Sequence, residues 1–389
     1  MKKAIGILLS LYLGLFIISG FISAIDDFLV FSFGLSFLMA IAAIFSFFAF
    51  FIALAVYFLM GVTPIIPKRV FLAISFFYLI YLLGMFMVPI YGGANWMKYS
   101  WDWDWVMSLV QIILGLMIVL RLKGESKIRW PLVEEKHLGN RSFSWGNLAG
   151  FALANIFVLA PAILVYFLLC AALAIDHFTA GFLTVRPSGL TIHVRHYARN
   201  DGREVELVPM AHVADAEFYR NLSESFPTNS IVLMEGVTDE HHLLTNGISY
   251  KRMAHSLGLV EQKKEFKPRG EIIDADIDVD EFSTNTIRLL NLVMLLHTKG
   301  FNPETAMNLA QYSPAPDVQR QLFDDLLNKR NSHLLEKLQG ELSQSNIIII
   351  PWGAGHMPGI AEAIKSDGFH LTETKDYTVI RFFHRQPEK

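Results

Sequence analysis

"IIIIPWGAGHMPGI", Ile347 to Ile360, decides how the second half of this chain folds. Four consecutive isoleucines suit a strand covered on both faces, as in a parallel sheet. Glycines then turn the chain, and a helix is expected from about Gly359. Glycines between a strand and a helix commonly serve a phosphate, because the helix N-terminus offers unpaired N–H groups and partial positive charge. Here Gly353, Gly355 and Gly359 are spaced G-x-G-x-x-x-G near the C-terminus, which is not the dinucleotide fingerprint, and the Gly-Lys-Ser/Thr of a P-loop is absent. A nucleotide is disfavoured, so His356 needs another explanation.

The same grammar occurs earlier. "GLTIHVRHY" (Gly189–Tyr197) and "EVELVPM" (Glu204–Met210) flank "RNDGR", an Asp-Gly hairpin signal. "AHVADAEFYRNLSESF" then carries apolar residues at helical spacing, and "SIVLMEGV" is a short buried strand ending at Glu235. Strand, histidine, helix, strand and acid follow one another, as later around His356. Strands alternating with helices imply an α/β domain with a mixed, largely parallel sheet and two strand–His–helix units. Two amphipathic helices are expected around Ser283 to Thr298 and Asp317 to Leu342. The ladder Asp274, Asp276, Asp278 and Asp280 reads as a solvated strand face, with one Asp reaching the site.

The first half is different. With 53% apolar residues over 389 positions, part of the chain belongs in lipid. Five runs are long enough to cross a ~30 Å hydrocarbon layer as helices: Ala4–Ile25, Phe28–Met60, Val70–Tyr91, Trp105–Leu120 and Leu148–Ile175. The expected division is a membrane helical region over residues 1–176 and an α/β domain over 177–389. The first run lacks a clear cleavage site and is read as a span, not a signal peptide. Lys2, Lys3, Lys68, Arg69, Arg121, Lys123, Lys127, Arg129, Lys136 and Arg141 fall in alternate loops, while Asp26, Asp27, Asp102 and Asp104 fall in the others. The positive-inside bias then places everything after Asp176 outside the cytoplasm, with Trp101, Trp103 and Trp105 at the outer boundary.

From Asp176 onward there are 22 Lys and Arg against 29 Asp and Glu, which argues against nucleic acid as a partner. Cys170 is the sole cysteine, so no disulfide forms within the chain. Nothing in the sequence signals an oligomeric state.

His212 and His356 are both expected where a strand gives way to a helix, the edge of a parallel sheet where ligands gather. One such histidine is usually a capping or packed residue; two in matching contexts point to a site. Neutral imidazoles favour Zn, Co, Mn or Fe, and a strand-end carboxylate such as Glu235 supplies a hard ligand or a general base.

These segments resemble a known family. "VPMAHVADAEFY", "VLMEGVTD", "KRNSHLLEKL" and "IIIIPWGAGHMPGI" are similar to the successive motifs of the TraB/TIKI superfamily, which includes bacterial pheromone-shutdown proteins and extracellular Wnt-cleaving proteases and is similar in fold to ChaN-like haem-binding lipoproteins and erythromycin esterases. The resemblance covers about His193 to Phe383. Its second GxxH motif is Gly353 to His356; its first is "PMAH", where Pro209 replaces the glycine and His212 remains; its Arg-Asn pair matches Arg330 and Asn331. The resemblance implies a metal-dependent hydrolase, a peptidase for peptide or protein substrates; the apolar runs, which it does not cover, anchor that domain in the lipid bilayer of a bacterial cytoplasmic membrane. His212 and His356 would hold a divalent Mn, Co or Zn ion, with Glu235 as a further ligand or as the general base, and Arg330 would orient the substrate. The alternative is a non-catalytic membrane protein that binds or sequesters a peptide, pheromone or haem. A transporter is disfavoured, because the middles of the spans hold almost no ionisable residues.

Overall fold

The computed structural model describes residues 2–35, 37–92, 96–123, 129–245, 250–312 and 317–383. The chain forms two compact units, Met1–Leu173 and Ala174–Lys389.

In the first unit, five helices are long and apolar enough to cross a membrane, which makes this a multi-pass membrane protein. They are α1 (Lys2–Phe33), α2 (Met39–Val62), α3 (Lys68–Gly92), α4 (Trp96–Lys123) and a continuous fifth made of α5 (Trp145–Ala154), a π-helical turn and α6 (Ala160–Phe178). Leu13, Phe16, Met60, Phe71 and Ile74 fill the core between α1, α2 and α3. The fifth helix is held to α2 by polar contacts: the Tyr57 hydroxyl donates to Asn155 Oδ1 at 2.6 Å, and Asn147 Nδ2 donates to the Met60 carbonyl at 3.1 Å. Its Ile156, Phe157, Val158 and Leu164 remain exposed, as lipid-facing side chains are.

Two boundaries differ from the sequence expectation. The run Phe28–Met60 is not one element: α1 continues to Phe33, Gly34 turns at φ +67°, and α2 starts at Met39. Hydropathy cannot mark that break, because both flanks are equally apolar. Asp26, Asp27, Asp102 and Asp104, expected in loops, lie inside α1 and α4. At 1.5 Å per residue those helices overrun a ~30 Å layer. Lys127 lies outside the described residues.

The second unit is the expected α/β domain with a mixed, mostly parallel sheet. In order come β1 (Leu183–Arg186), β2 (Gly189–Ala198), β3 (Glu204–Met210), β4 (Val213–Ala214), α7 (Ala216–Ser225), β5 (Ile231–Met234), α8 (Lys251–Leu257), β6 (Val260–Glu261), α9 (Gln262–Glu265) and β7 (Glu271–Asp274). Then follow α10 (Thr284–Lys299), α11 (Pro303–Gln311), α12 (Val318–Phe323), a π-helical turn, α13 (Arg330–Glu341), β8 (Ile347–Gly353), α14 (Met357–Ser366) and β9 (His370–Arg381). Strands β3, β8, β5 and β7 run parallel in that order, and β2 and β9 extend the sheet antiparallel.

The isoleucine run is the sheet's middle. Ile348, Ile349 and Ile350 are fully buried, and alternation sends Ile348 and Ile350 to one core with Leu334 and Trp352, and Ile349 to the other with Val232 and Tyr219. Met210 pairs with Gly353 at the end of the β3–β8 ladder, so the residues beyond both strands leave the same edge. The two strand–His–helix units are not alike there. β4 intervenes after His212, and α7 starts only at Ala216, whereas His356 directly precedes α14.

Trp352 is fully buried and donates from Nε1 to the Leu233 carbonyl at 3.0 Å. Trp352→Ala should lower the unfolding free energy of the purified chain by about 3–5 kcal/mol, read as a lower denaturation midpoint of the α/β unit. A loss below about 1 kcal/mol would contradict the packing described.

Candidate functional site: an arginine hub at the sheet edge

Each residue of the site comes from the end of a parallel strand or from the helix covering it. Glu235 and Gly236 follow β5, Asp276 follows β7, and His356 follows β8. Arg330 and Asn331 open α13. In a parallel sheet these carboxyl ends converge on one edge, and here a guanidinium fills the point of convergence.

Arg330 Nε donates to Asp276 Oδ1 at 2.9 Å, and Nη2 donates to Asp276 Oδ2 at 2.6 Å and to Glu235 Oε1 at 2.7 Å. Nη1 donates to His356 Nε2 at 3.1 Å and to the Leu326 carbonyl at 3.4 Å. The guanidinium carbon also lies 5.4 Å from the Trp352 ring centroid. Every donor of the fork is therefore engaged, the bidentate pair to Asp276 being the strongest arrangement available.

The carboxylates have second partners. Gly353 N–H donates to Glu235 Oε2 at 2.6 Å, and Gly236 N–H donates to Asp276 Oδ2 at 3.0 Å. This accounts for two of the glycines. Gly353 offers its amide to Glu235, and Gly359 leaves room for Asn331, whose amide nitrogen would lie 2.9 Å from an added Cβ.

The hydrogen bonds settle the tautomer of His356. Arginine only donates, so Nε2 accepts; Nδ1 must then carry the proton, which it gives to Asn331 Oδ1 at 2.7 Å. Burial, and then the Arg330 charge, push the imidazole pKa down to about 4. His356 is thus a neutral acceptor at ordinary pH. Two carboxylates against one guanidinium leave the cluster with one net negative charge.

His212 stands apart from this cluster. It is exposed and stacks on Tyr250, with ring centroids 4.8 Å apart and planes 16° apart. Tyr250 connects the two regions: burial, and then the Glu235 charge, raise its phenol pKa.

The donors that sequence reasoning assigned to a metal are His212, Glu235 and His356. As arranged, both ring nitrogens of His356 are taken, Glu235 holds Arg330 and an amide, and His212 faces Tyr250. Among the described residues no three His, Cys, Asp or Glu side chains are grouped to hold an ion. This donor set does not fit a divalent metal, because the guanidinium already occupies the place of the cation. Nor is Arg330 free to clamp a substrate, since doing so would break an existing bond.

Asp276 is the residue sequence reasoning left undecided. Its side chain is 1% exposed, whereas a period-two run of acids reads as a wet strand face. The pattern fails because β7 ends at Asp274. Beyond it Asp278 becomes a staple, accepting from Asp280 N–H, the Thr238 hydroxyl and Glu240 N–H, which hold its pKa down to about 2. The signal available was electrostatic: a buried arginine needs counter-charges, and the nearest strand-end acids beyond Glu235 are in this run. Tyr250 had no signal at all.

Comparisons with family models, with curated proteins and with solved structures find no match for this chain. The family resemblance therefore rests on the motif residues alone.

The pKa of His356 makes a stability prediction. Its folded value, about 4, lies below the ordinary ~6.5 of an unfolded chain, so between those pH values the unfolded state binds more protons. Stability should be complete above about pH 6.5 and fall as pH drops towards 4, at up to ~1.4 kcal/mol per pH unit. Denaturant melts of wild type and His356→Gln across that range test this; parallel curves would contradict it.

Proposed function

We propose that the α/β unit is a hydrolase of peptide or related acyl bonds, displayed outside the cytoplasm by the membrane helices. The observation that carries this reading is an exposed, aromatic-stacked histidine, His212, leaving the same sheet edge at which Arg330 fixes Glu235 and His356. In this reading the exposed His212 is the base that takes a proton from water. Tyr250 holds its ring and, with a raised pKa, keeps its phenol proton for donation to a carbonyl oxygen or leaving group. Arg330 is a positioning residue: it holds the carboxylate of Glu235 at the rim and keeps His356 neutral.

The metal-dependent form of this reaction, implied by the family resemblance, requires Arg330 to leave His356 and Glu235. The net negative charge of the cluster favours that form; the complete pairing of its donors opposes it. The same pairing favours the second reading, a binder that captures a peptide or haem without turnover.

Fluorogenic peptide pools incubated with the purified full chain separate these readings. The hydrolase reading expects multiple turnovers, a loss on the order of 10²- to 10⁴-fold in His212→Ala, and unchanged thermal stability of that variant because His212 is exposed. Product equal to or below enzyme concentration indicates a binder. Activity that appears only with added Mn, Co or Zn, and vanishes on chelation, indicates the metal form. Reporter fusions after Lys389 test the orientation, activity in the cytoplasm alone being the contrary result.

A further inference from the structure

The helical unit contains a cavity of about 430 Å³ between α1, α2, α3 and α4 that the proposed hydrolysis does not use. One part of its wall is acidic: Asp26 and Asp27 from α1 and Asp104 from α4. Among the described residues no Lys or Arg lines it. Asp27 accepts from the Ser108 hydroxyl at 2.9 Å and Asp104 from the Tyr81 hydroxyl at 2.8 Å. Asp26 is 7% exposed and Tyr78 8% exposed; among the described residues the Asp26 Oδ1 and the Tyr78 hydroxyl, which line the same cavity, have no hydrogen-bond partner. Carboxylates in a low-dielectric bundle are costly without a counter-charge, and buried polar atoms ordinarily find partners. Both features mark a place for a positively charged occupant.

The rest of the wall defines its class. Phe47, Phe50 and Phe77 line the same cavity, and aromatic faces attract cations. The space is the size of small-molecule sites rather than of an ion. No three of the described carboxylates are grouped to hold a bare metal ion. We propose that this cavity binds a monovalent organic cation with an apolar body, its charge at Asp26 and its body against the phenylalanines.

The test uses the full chain in phosphatidylcholine nanodiscs and radiolabelled tetraphenylphosphonium in equilibrium dialysis, with empty nanodiscs subtracted. Expected is saturable binding of one probe per chain, weakened at least about tenfold in Asp26→Asn, which removes the charge and keeps the shape. Ala43→Trp, a substitution at an exposed lining position that fills the mouth, should weaken binding as much and guards against a folding defect in the first variant. Neutral triphenylphosphine oxide should not compete. The proposal is overturned by absence of saturable binding, by wild-type affinity in either variant, or by displacement of the probe with millimolar sodium or calcium, which would make the occupant an inorganic ion.

Discussion

The α/β unit depends on one buried cation. Arg330 is largely removed from water, and the ends of β5, β7 and β8 are arranged around it: Asp276 takes two of its N–H groups, Glu235 one, His356 one. A charge at such depth is tolerated only when its donors are satisfied and its counter-ions fixed. That requirement ties three strands and one helix together at a single point. It also explains the glycines of the quoted segment. They supply an amide to the carboxylate and space for Asn331, which in turn orients His356.

The hub sets the character of the edge where a ligand would dock. It leaves a net negative charge, a neutral imidazole, and strand ends whose geometry is fixed by bonds to one planar group. What remains open to solvent is His212, stacked on the half-buried Tyr250. The division is a common one for sites on α/β sheets, with preorganisation in the buried partners and contact in the accessible ones.

Much of this was legible beforehand. Apolar run length marked five membrane helices, because lipid imposes a length that few soluble elements reach. Alternation and the Asp-Gly turn marked the β2–β3 hairpin, and the isoleucine run marked the central strand. Glu235, Arg330 and His356 were singled out from strand-end position and motif, and the structure brings these three side chains together. Three features were not legible. The break at Gly34 sits between equally apolar flanks. The detachment of His212 follows from β4, two residues paired with β6 from a distant segment. The burial of Asp276 is tertiary: nothing in an Asp-x-Asp-x-Asp run shows which acid an arginine far along the chain will claim. Local patterns record periodicity and charge, whereas partner choice is decided by the packed fold.

A double-mutant cycle on the hub tests its central role most directly. Arg330→Met, Asp276→Leu and the double variant are compared with wild type by denaturant unfolding of the α/β unit. Arg330→Met strands buried carboxylates and should cost about 3–5 kcal/mol; Asp276→Leu leaves Arg330 only Glu235 as counter-charge and should also destabilise, while the double variant, which strands neither of this pair, should recover at least about 1 kcal/mol of the summed loss. Losses that simply add, or single variants as stable as wild type, would show that Arg330 and Asp276 do not organise this edge.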